Sequence, residues 1–488
     1  MKFNSYNYFI RKRNIECGRG SNIALICNGK TLSYNQIDSL INDEYGHFFE
    51  LLNKNSAKRC AICLKDSIIS VVLYYGLLKY EITPAFFNFS ESLDNVVEIL
   101  TVGEYDSFAV DKAKFSDYEI DKIINSTKIQ YLFTVDEKES IKLYFKKRSV
   151  TKLAKEGKFI LYSSGSTGLP KGVIHEQKDM LPAAKVHACE ILSLTPQDII
   201  YSMSNINYTF AFVNATFTAF YAGAASIISY DTNAWQVIEN INKYQPTIIC
   251  GVPAMYSMIL ELSKIQYLDL SSVKVCMSAG EKTPTSLWFK WHEKYKIPII
   301  EGYGSVEMIS NVLANKPNDY VPGSSGKLTS PFTIISNESG ELEVTGETVS
   351  VNYLGKPENK IKTYNTGDLF KKDKEGNYWY IGRKDNIFKF NGIWLNPIEI
   401  EEKIEKFTDI KTALVVNDSM NLIAFIVMNT NSDSEIFKKI NIELKAKLEH
   451  CKCPTKYVVV SDIPRNSNGK KIRKIIPDNL WSKIVDFT

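Results

Sequence analysis

Residues Phe159 to His175 read Phe-Ile-Leu-Tyr-Ser-Ser-Gly-Ser-Thr-Gly-Leu-Pro-Lys-Gly-Val-Ile-His, and this stretch constrains the fold most tightly. Its apolar and aromatic start, Phe159–Tyr162, predicts a buried strand. Ser163 to Gly172 then gather three serines, one threonine, three glycines and a lysine within ten residues. Glycine lets the backbone approach an anion closely, and hydroxyl and amide groups donate to phosphate oxygens. Lys171 adds a mobile positive charge. Ser163, Ser164, Gly165, Ser166, Thr167, Gly168 and Lys171 therefore read as a phosphate-binding loop. The Gly-Lys-Ser/Thr spacing of a Walker A loop is absent, which excludes that class of nucleotidase. A preceding strand and the Pro-Lys-Gly that follows argue against a flexible linker.

With 488 residues the chain is too long for one ordinary core, so two or more domains are expected. Its net charge of +4 gives nucleic acid no general attraction. Nine scattered cysteines argue against a disulfide scaffold. Cys60 and Cys63 have metal or redox spacing, but they lie in an apolar strand-like run without a second Cys/His pair and read as core. The charge-free run Ile199–Tyr230 is long enough to cross a bilayer. Asn205, Asn207, Asn214 and an Ala-Gly-Ala-Ala break make a buried helix followed by a buried strand the better reading. No apolar leader stands at the N-terminus, so a cytoplasmic protein without membrane insertion is expected.

Asn22–Cys27 and Lys30–Tyr34 predict a hairpin turning at Asn28-Gly29, with Ser33 capping the next helix. Strand and helix patterns then alternate: strand Arg59–Leu64, helix Ser67–Tyr80, strand Thr83–Asn88. Further strands are expected at 107–109, 129–133, 199–203, 225–228, 247–250, 273–278 and 297–301. That alternation implies an α/β fold of βαβ units with parallel sheets. Short strand runs over Phe332–Tyr364 imply a small β-rich subdomain. Beyond Gly382 the composition turns to Lys- and Glu-rich helices with strands at 412–416 and 422–428, implying a separate small α+β domain.

Polar clusters follow two consecutive strands: Ser278-Ala279-Gly280-Glu281 and Glu301-Gly302-Tyr303-Gly304-Ser305-Val306-Glu307. Parallel sheets bind ligands at the carboxyl ends of their strands. The glycines leave room for a flat ring, Tyr303 supplies a stacking face, and Glu307 suits a hard cation such as Mg²⁺. Tyr364-Asn-Thr-Gly-Asp368 places a carboxylate in a tight turn, where it can accept both hydroxyls of a ribose. Gly382-Arg-Lys-Asp385, Lys389-Phe-Asn-Gly392 and Pro464-Arg-Asn-Ser-Asn-Gly-Lys470 complete the ordered set.

In this order the motifs resemble those of the adenylate-forming superfamily: acyl- and aryl-CoA synthetases, luciferases and the adenylation domains of peptide synthetases. The resemblance implies adenine contacts at Gly280, Glu281, Glu301, Gly302, Tyr303 and Gly304, Mg²⁺ on Glu307, and ribose on Asp368. It implies a ribose or phosphate contact for Arg383, a hinge at Asp385, a thiol tunnel lined by Lys389 and Gly392, and catalysis by Lys470. A core domain of residues 1–384 and a mobile domain of residues 385–488 follow. The family pattern has threonine at 306, a second acid at 386 and threonine at 466, where this chain has Val306, Asn386 and Asn466. Spellings around the phosphate loop, Gly251-Val-Pro253, Tyr378-Trp-Tyr380 and Gly392–Glu401 are most similar to those of benzoate-CoA ligases. Tyr208, Phe210, Ala211, Gly251, Ala279 and Gly302 would then line a pocket for a small aromatic acid.

The implied reaction begins with attack of the acid's own carboxylate on the α-phosphorus of ATP. Lys470 would bridge the two anions, while Thr167 and Lys171 hold the pyrophosphate. A thiol then takes the acyl group from the acyl-adenylate. The acceptor is CoA or the phosphopantetheine of a carrier protein; the Lys-rich C-terminal region suits either, and benzoate-ligase spelling favours CoA. A nucleotide-binding protein that has lost catalysis is the alternative from another class. Against it, Lys171, Glu307, Asp368, Arg383 and Lys470 are all present. Because Lys470 and the tunnel segment share the small domain, the two half-reactions require its rotation about Asp385. Lys470→Ala should therefore slow acyl-adenylate formation on the order of 10²-fold or more and spare thioester formation from supplied acyl-adenylate. Asp385→Pro should do the reverse. Separate assays of the two half-reactions check this, and loss of the same step in both variants contradicts it.

Overall fold

Two sheets with helices on their faces realise the alternating pattern, in a computed structural model of the chain. It describes all residues except 1–2, 56, 148–156, 164–169, 337–339, 360, 419, 430–434, 449–451, 466–470 and 487–488. The described residues divide into two compact units. The first comprises Met1–Thr283, Leu287–Ile334 and Val344–Tyr364, and the second comprises Pro284–Ser286, Ile335–Glu343 and Asn365–Thr488.

In the first unit a seven-stranded sheet runs in the order Ile141–Lys146, Tyr131–Val135, Ser107–Asp111, Arg59–Cys63, Thr83–Phe86, Lys158–Ser163, Lys171–Glu176. Its five inner strands are parallel, and its two edge strands are antiparallel. The nine-stranded sheet holds Ile248–Gly251, Val275–Ala279 and Ile299–Gly304 side by side and parallel, with Asn311–Ala314 antiparallel beyond them. The expected hairpin at the N-terminus is present, with positive φ at Asn28 and Gly29. Ser33 caps the next helix and forms a reciprocal pair with Gln36.

Both sheets contribute to one core. Ile62, Phe86 and Phe133 of the first sheet and Ile200, Ile248 and Ile300 of the second belong to the same cluster of buried side chains. The helix Ile68–Lys79 belongs there too, and every residue from Ile68 to Leu78 is buried. A helix apolar all round can only be stable when it is covered on every side. Phe49 lies against Gly76, its ring 2.0 Å from where a Cβ would stand. Cys60 and Cys63 are core residues of the Arg59–Cys63 strand, and burial pushes the Cys63 thiol up to about 12. Successive residues of the second sheet serve opposite faces. Ile300 faces the shared core, whereas Ile299 packs with Tyr256, Trp288 and Trp291 on the far side. Within the Ile199–Tyr230 run, the strand Ile199–Ser202 precedes buried helical turns over 209–222 and the strand Ala225–Ile227. No helix among the described residues is long and apolar enough to cross a membrane.

The strand Thr363–Lys372, which belongs to the second unit from Asn365 on, pairs antiparallel with Tyr378–Arg383, which sets Asp368 opposite Arg383. The hairpin Phe388–Phe390 and Ile393–Leu395 turns at Asn391-Gly392, both at positive φ. A four-stranded sheet then follows in the order Ile410–Asn417, Leu422–Met428, Lys456–Val460, Trp481–Asp486. Helices Pro397–Ile404 and Glu435–Lys447 cover one face through Ile400, Ile404, Phe437, Ile440 and Leu444. Ile141–Lys146 and Trp481–Asp486 were not expected from the sequence. Both are edge strands with mostly exposed side chains, so they lack the apolar run that marks their neighbours.

Candidate active site

The site in the first unit is built around the antiparallel pair Lys158–Ser163 and Lys171–Glu176, which brackets the phosphate-loop motif. Ser163 and Lys171 face each other at its open end, where the Ser163 hydroxyl donates to the Lys171 carbonyl at 3.4 Å and the Lys171 side chain is exposed. Ser164, Gly165, Ser166, Thr167 and Gly168 lie outside the described residues.

A second chain segment clasps the outer strand of this pair. Leu354 N–H donates to Gly172 C=O at 2.9 Å, Ile174 N–H to Asn352 C=O at 2.8 Å, and the Ser350 hydroxyl to Ile174 C=O at 2.6 Å. The same segment reaches Glu307: Ser350 N–H donates to its carbonyl at 2.8 Å, and the Tyr353 hydroxyl to its carboxylate at 3.1 Å. Glu307 is thereby fixed beside the phosphate-loop hairpin by a charge-assisted hydrogen bond, a type worth about 1.5–3 kcal/mol. Burial and the adjacent carboxylate hold the Tyr353 hydroxyl well above its ordinary value, so it remains a donor. His175 closes the clasp from the other side. Its Nε2 lies 2.9 Å from Val306 C=O, the ring stacks on Phe159, and burial pulls its pKa down to about 3. The imidazole is therefore neutral, and a carbonyl partner requires the proton on Nε2.

Ala279 and Gly302 are paired neighbours at the carboxyl ends of their strands, with Gly251 one strand further along. Gly280 follows with φ +89°, a left-handed turn that glycine adopts freely. The space beside the other glycines is filled. A Cβ on Gly251 would meet Met203 Cε at 2.3 Å, one on Gly302 would meet Asn311 Nδ2 at 2.2 Å, and one on Gly304 would meet Ser310 C=O at 2.1 Å. Glu301 is buried, and its two carboxylate oxygens accept from Thr283 N–H and the Ser325 hydroxyl, each at 2.7 Å. Burial outweighs both donors and raises its pKa to about 7. Its carboxylate thus ties the turn after Ala279 to the strand that carries Gly302. Glu281 and Tyr303 are half-buried, and Tyr303 packs against the small cluster of Met308, Val312, Phe332, Val344 and Val349.

On the shared-core side, Tyr208 precedes the short helix Thr209–Val213, and its hydroxyl accepts from Asn88 Nδ2 at 3.2 Å. Phe210 is half-buried against the core and Ala211 is buried. From this helix a relay runs inward. Asn214 Nδ2 donates to Phe210 C=O at 2.9 Å, His187 Nδ1 lies 3.3 Å from Asn214 Oδ1, and Asn311 N–H donates to His187 Nε2 at 3.1 Å. His187 must carry its proton on Nδ1, and burial lowers its pKa to about 4.

In the second unit, Asp368 accepts from the Tyr380 hydroxyl at 3.3 Å and lies 3.6 Å from Arg383, whose Nη1 also donates to Thr366 C=O at 2.9 Å. Asp385 sits in a one-turn helix with its side chain 82% exposed, 3.5 Å from Arg383 Nη2. Lys389 and Gly392 are exposed on the small hairpin. Lys470 lies outside the described residues. Just beyond it Lys471 donates to Glu405 and Ala413 C=O, each at 2.8 Å, and Arg473 grips Glu401 through both of its terminal nitrogens.

Tyr353, His187 and Asn311 are positioning residues that no motif signalled, and His175 ends the opening stretch without a role read from it. Only the fold brings them to Glu307, Val306 and Gly302. No group of three or more His, Cys, Asp or Glu side chains suited to a metal occurs among the described residues. A lone fixed carboxylate such as Glu307 still fits Mg²⁺, which takes most of its ligands from phosphate oxygens and water.

Comparison with known proteins sets this geometry in context. The sequence profile of the family described as AMP-binding enzyme matches residues 15–354. The chain is 26% identical to a 4-hydroxybenzoate--CoA/benzoate--CoA ligase of Rhodopseudomonas palustris, across 95% of this chain and 92% of that protein. It is 29% identical to a benzoate--CoA ligase of Thauera aromatica, across 64% of each. The crystal structure of an anthranilate CoA ligase, AuaEII, in complex with anthranoyl-AMP superposes with a TM-score of 0.86, at 23% identity, over 97% of this chain and 96% of that one. That likeness establishes the expected fold, a large α/β portion followed by a small one.

The buried His187 relay has a pH signature. The unfolded chain protonates this histidine near its ordinary value of 6.5, whereas the folded chain resists until about pH 4. Below 6.5 the unfolded state binds more protons, so the relay's stability is present above 6.5 and is lost as pH falls toward 4. Denaturant titrations of wild type and His187→Gln should show a wild-type advantage at pH 7.5 that shrinks steadily between pH 6.5 and 4. A constant difference contradicts a neutral His187.

Proposed function

The chain belongs to the AMP-binding enzyme family, and from that premise we propose that it activates a small aromatic carboxylic acid with ATP and passes it to the thiol of CoA. The observation that carries the reading is the meeting, within one unit, of the phosphate-loop hairpin with a fixed carboxylate at Glu307. The full-length relationship to an aryl-CoA ligase supports the aromatic acid and CoA.

In this reading the acid's carboxylate is the nucleophile, and the residues' work is to neutralise and align anions. Ser163, Thr167 and Lys171 hold the β- and γ-phosphates. Glu307 holds Mg²⁺, which when bound screens the charge on the departing pyrophosphate. Gly280 and Gly302 border the adenine, Asp368 and Arg383 hold the ribose, and Tyr208, Phe210 and Ala279 flank the ring of the acid. Lys470 bridges carboxylate and α-phosphate. The bond from carboxylate oxygen to α-phosphorus forms as that to the β-phosphate oxygen breaks. A thiolate then attacks the acyl carbon and AMP leaves. Lys389 and Gly392 line the thiol's approach, and Asp385 is the pivot between the two steps. A cytoplasmic setting agrees with the cysteines, all free among the described residues.

Pyrophosphate release measured across benzoate, substituted benzoates, fatty acids and amino acids should be greatest with a benzoate. Adding CoA should then yield the aryl-CoA with turnover in the ordinary enzyme range of about 1–10³ s⁻¹. A preference for fatty or amino acids overturns the aromatic assignment. Aryl-adenylate that accumulates in the presence of CoA assigns the acyl group to a carrier protein instead.

A further inference from the structure

Lys470 has a second lysine, Lys471, directly after it in the chain. Residues 466–470 are bracketed by an antiparallel bridge between Arg465 and Lys471, and Ile472 N–H donates to Pro464 C=O at 2.8 Å. Past the bridge, Lys471 and Arg473 both reach the helix Pro397–Ile404 and its C-cap Glu405. Lys471 Nζ donates to Glu405 Oε1 and to Ala413 C=O, each at 2.8 Å, and lies 3.9 Å from Glu401. Arg473 Nη2 donates to Glu401 Oε2 at 2.9 Å, and Nη1 donates to Oε1. The two carboxylates are themselves held by the strand Ile410–Asn417. Glu401 accepts from Val415 N–H at 2.7 Å, and Glu405 accepts from Ala413 N–H and the Thr412 hydroxyl, both at 2.9 Å. Two cations therefore meet two fixed carboxylates, with Glu401 buried and the other three side chains half-buried. Ion pairs withdrawn from water add little net stability, because desolvation offsets most of the attraction; what they fix is one arrangement.

We infer that Lys471 and Arg473 are positioning residues for the adenylation half-reaction. Clamped on Glu405 and Glu401, they fix the base from which Lys470 is presented. The inference rests on the reading of Lys470 above and adds the device that aims it. The clamp also commits the ammonium of Lys471 to the domain's own carboxylates. Released, it would offer the anions of the reaction a second charge, one residue out of place. Misplacement of a reacting group by about 1 Å costs on the order of 10²-fold in rate, so the base of such a loop must be held directionally. Support of the fold alone would act differently. Lys389 and Gly392, read above as lining the thiol's approach, belong to the same unit. Loosening that unit as a whole slows both half-reactions, whereas misaiming Lys470 slows only the first.

The test measures the two half-reactions separately in the full-length enzyme, with the acid that gives the greatest pyrophosphate release and with its chemically made adenylate plus CoA. Lys471→Met, and the milder Glu405→Gln, should each slow adenylate formation by about tenfold or more. Both should convert supplied adenylate to thioester at the wild-type rate. Lys471→Arg, which keeps the charge, should recover most of the adenylation rate. Wild-type adenylation in Lys471→Met and Glu405→Gln overturns the inference. Equal loss of both half-reactions also overturns it and leaves the clamp a support of the fold. Lys470→Ala in the same assay separates the two readings. If it is slow while Lys471→Met is not, the inference fails and the role of Lys470 stands. If it forms adenylate at the wild-type rate, the role of Lys470 fails, and the inference with it.

Discussion

The arrangement of the first unit depends on a clasp between sequence-distant segments. The strand Lys171–Glu176 bonds on one side to Lys158–Ser163 and on the other to residues 350–354. Tyr353 and Ser350 carry that clasp to Glu307, and His175 carries it to Val306. Each bond is modest by itself, about 0.5–1.5 kcal/mol for neutral pairs. Together they fix a carboxylate beside the hairpin mouth, where a bound phosphate of the same sign would otherwise push it away. The burial that makes His175 neutral suits this purpose. A neutral ring can donate to Val306 without placing an uncompensated charge in the core.

Behind the clasp, the two sheets share one core around a helix buried on all sides. The parallel ladder between Val275–Ala279 and Ile299–Gly304 sets the register of their ends, and the common core packs that sheet against the other. Glu301 illustrates the cost of such a position. Its carboxylate is buried and biased toward protonation, yet it receives two donors that lock adjacent strand ends together. Glycines near the site serve close packing as well as access: Met203, Asn311 and Ser310 occupy the space that side chains at 251, 302 and 304 would fill.

The alternation of strands and helices was legible because parallel strands buried on both faces are written as apolar runs. So were the strand that enters the phosphate loop, the loop itself and the clusters at 278–281 and 301–307, whose residue types announce their chemistry; the returning strand Lys171–Glu176 was not. What was not legible depends on distance along the chain. Nothing near Tyr353 signals that its hydroxyl meets Glu307, 46 residues away. Nothing near His187 signals Asn311, 124 residues away. The edge strands Ile141–Lys146 and Trp481–Asp486 were missed because exposure removes the hydrophobic period on which strand reading relies. Glycines 302 and 304 were read as open space for a ring, since a sequence cannot tell space left for a ligand from space taken by a neighbour.

The central claim is that the clasp holds Glu307 as the protein's ligand for Mg²⁺ beside the phosphate-loop hairpin. Its most direct measurement is the Mg²⁺ dependence of acid-dependent pyrophosphate release in Glu307→Gln, with circular dichroism to verify folding. Loss of the carboxylate charge should raise the Mg²⁺ concentration for half-maximal rate about tenfold or more, with the fold retained. A folded variant with the wild-type Mg²⁺ dependence would contradict the assignment of Glu307.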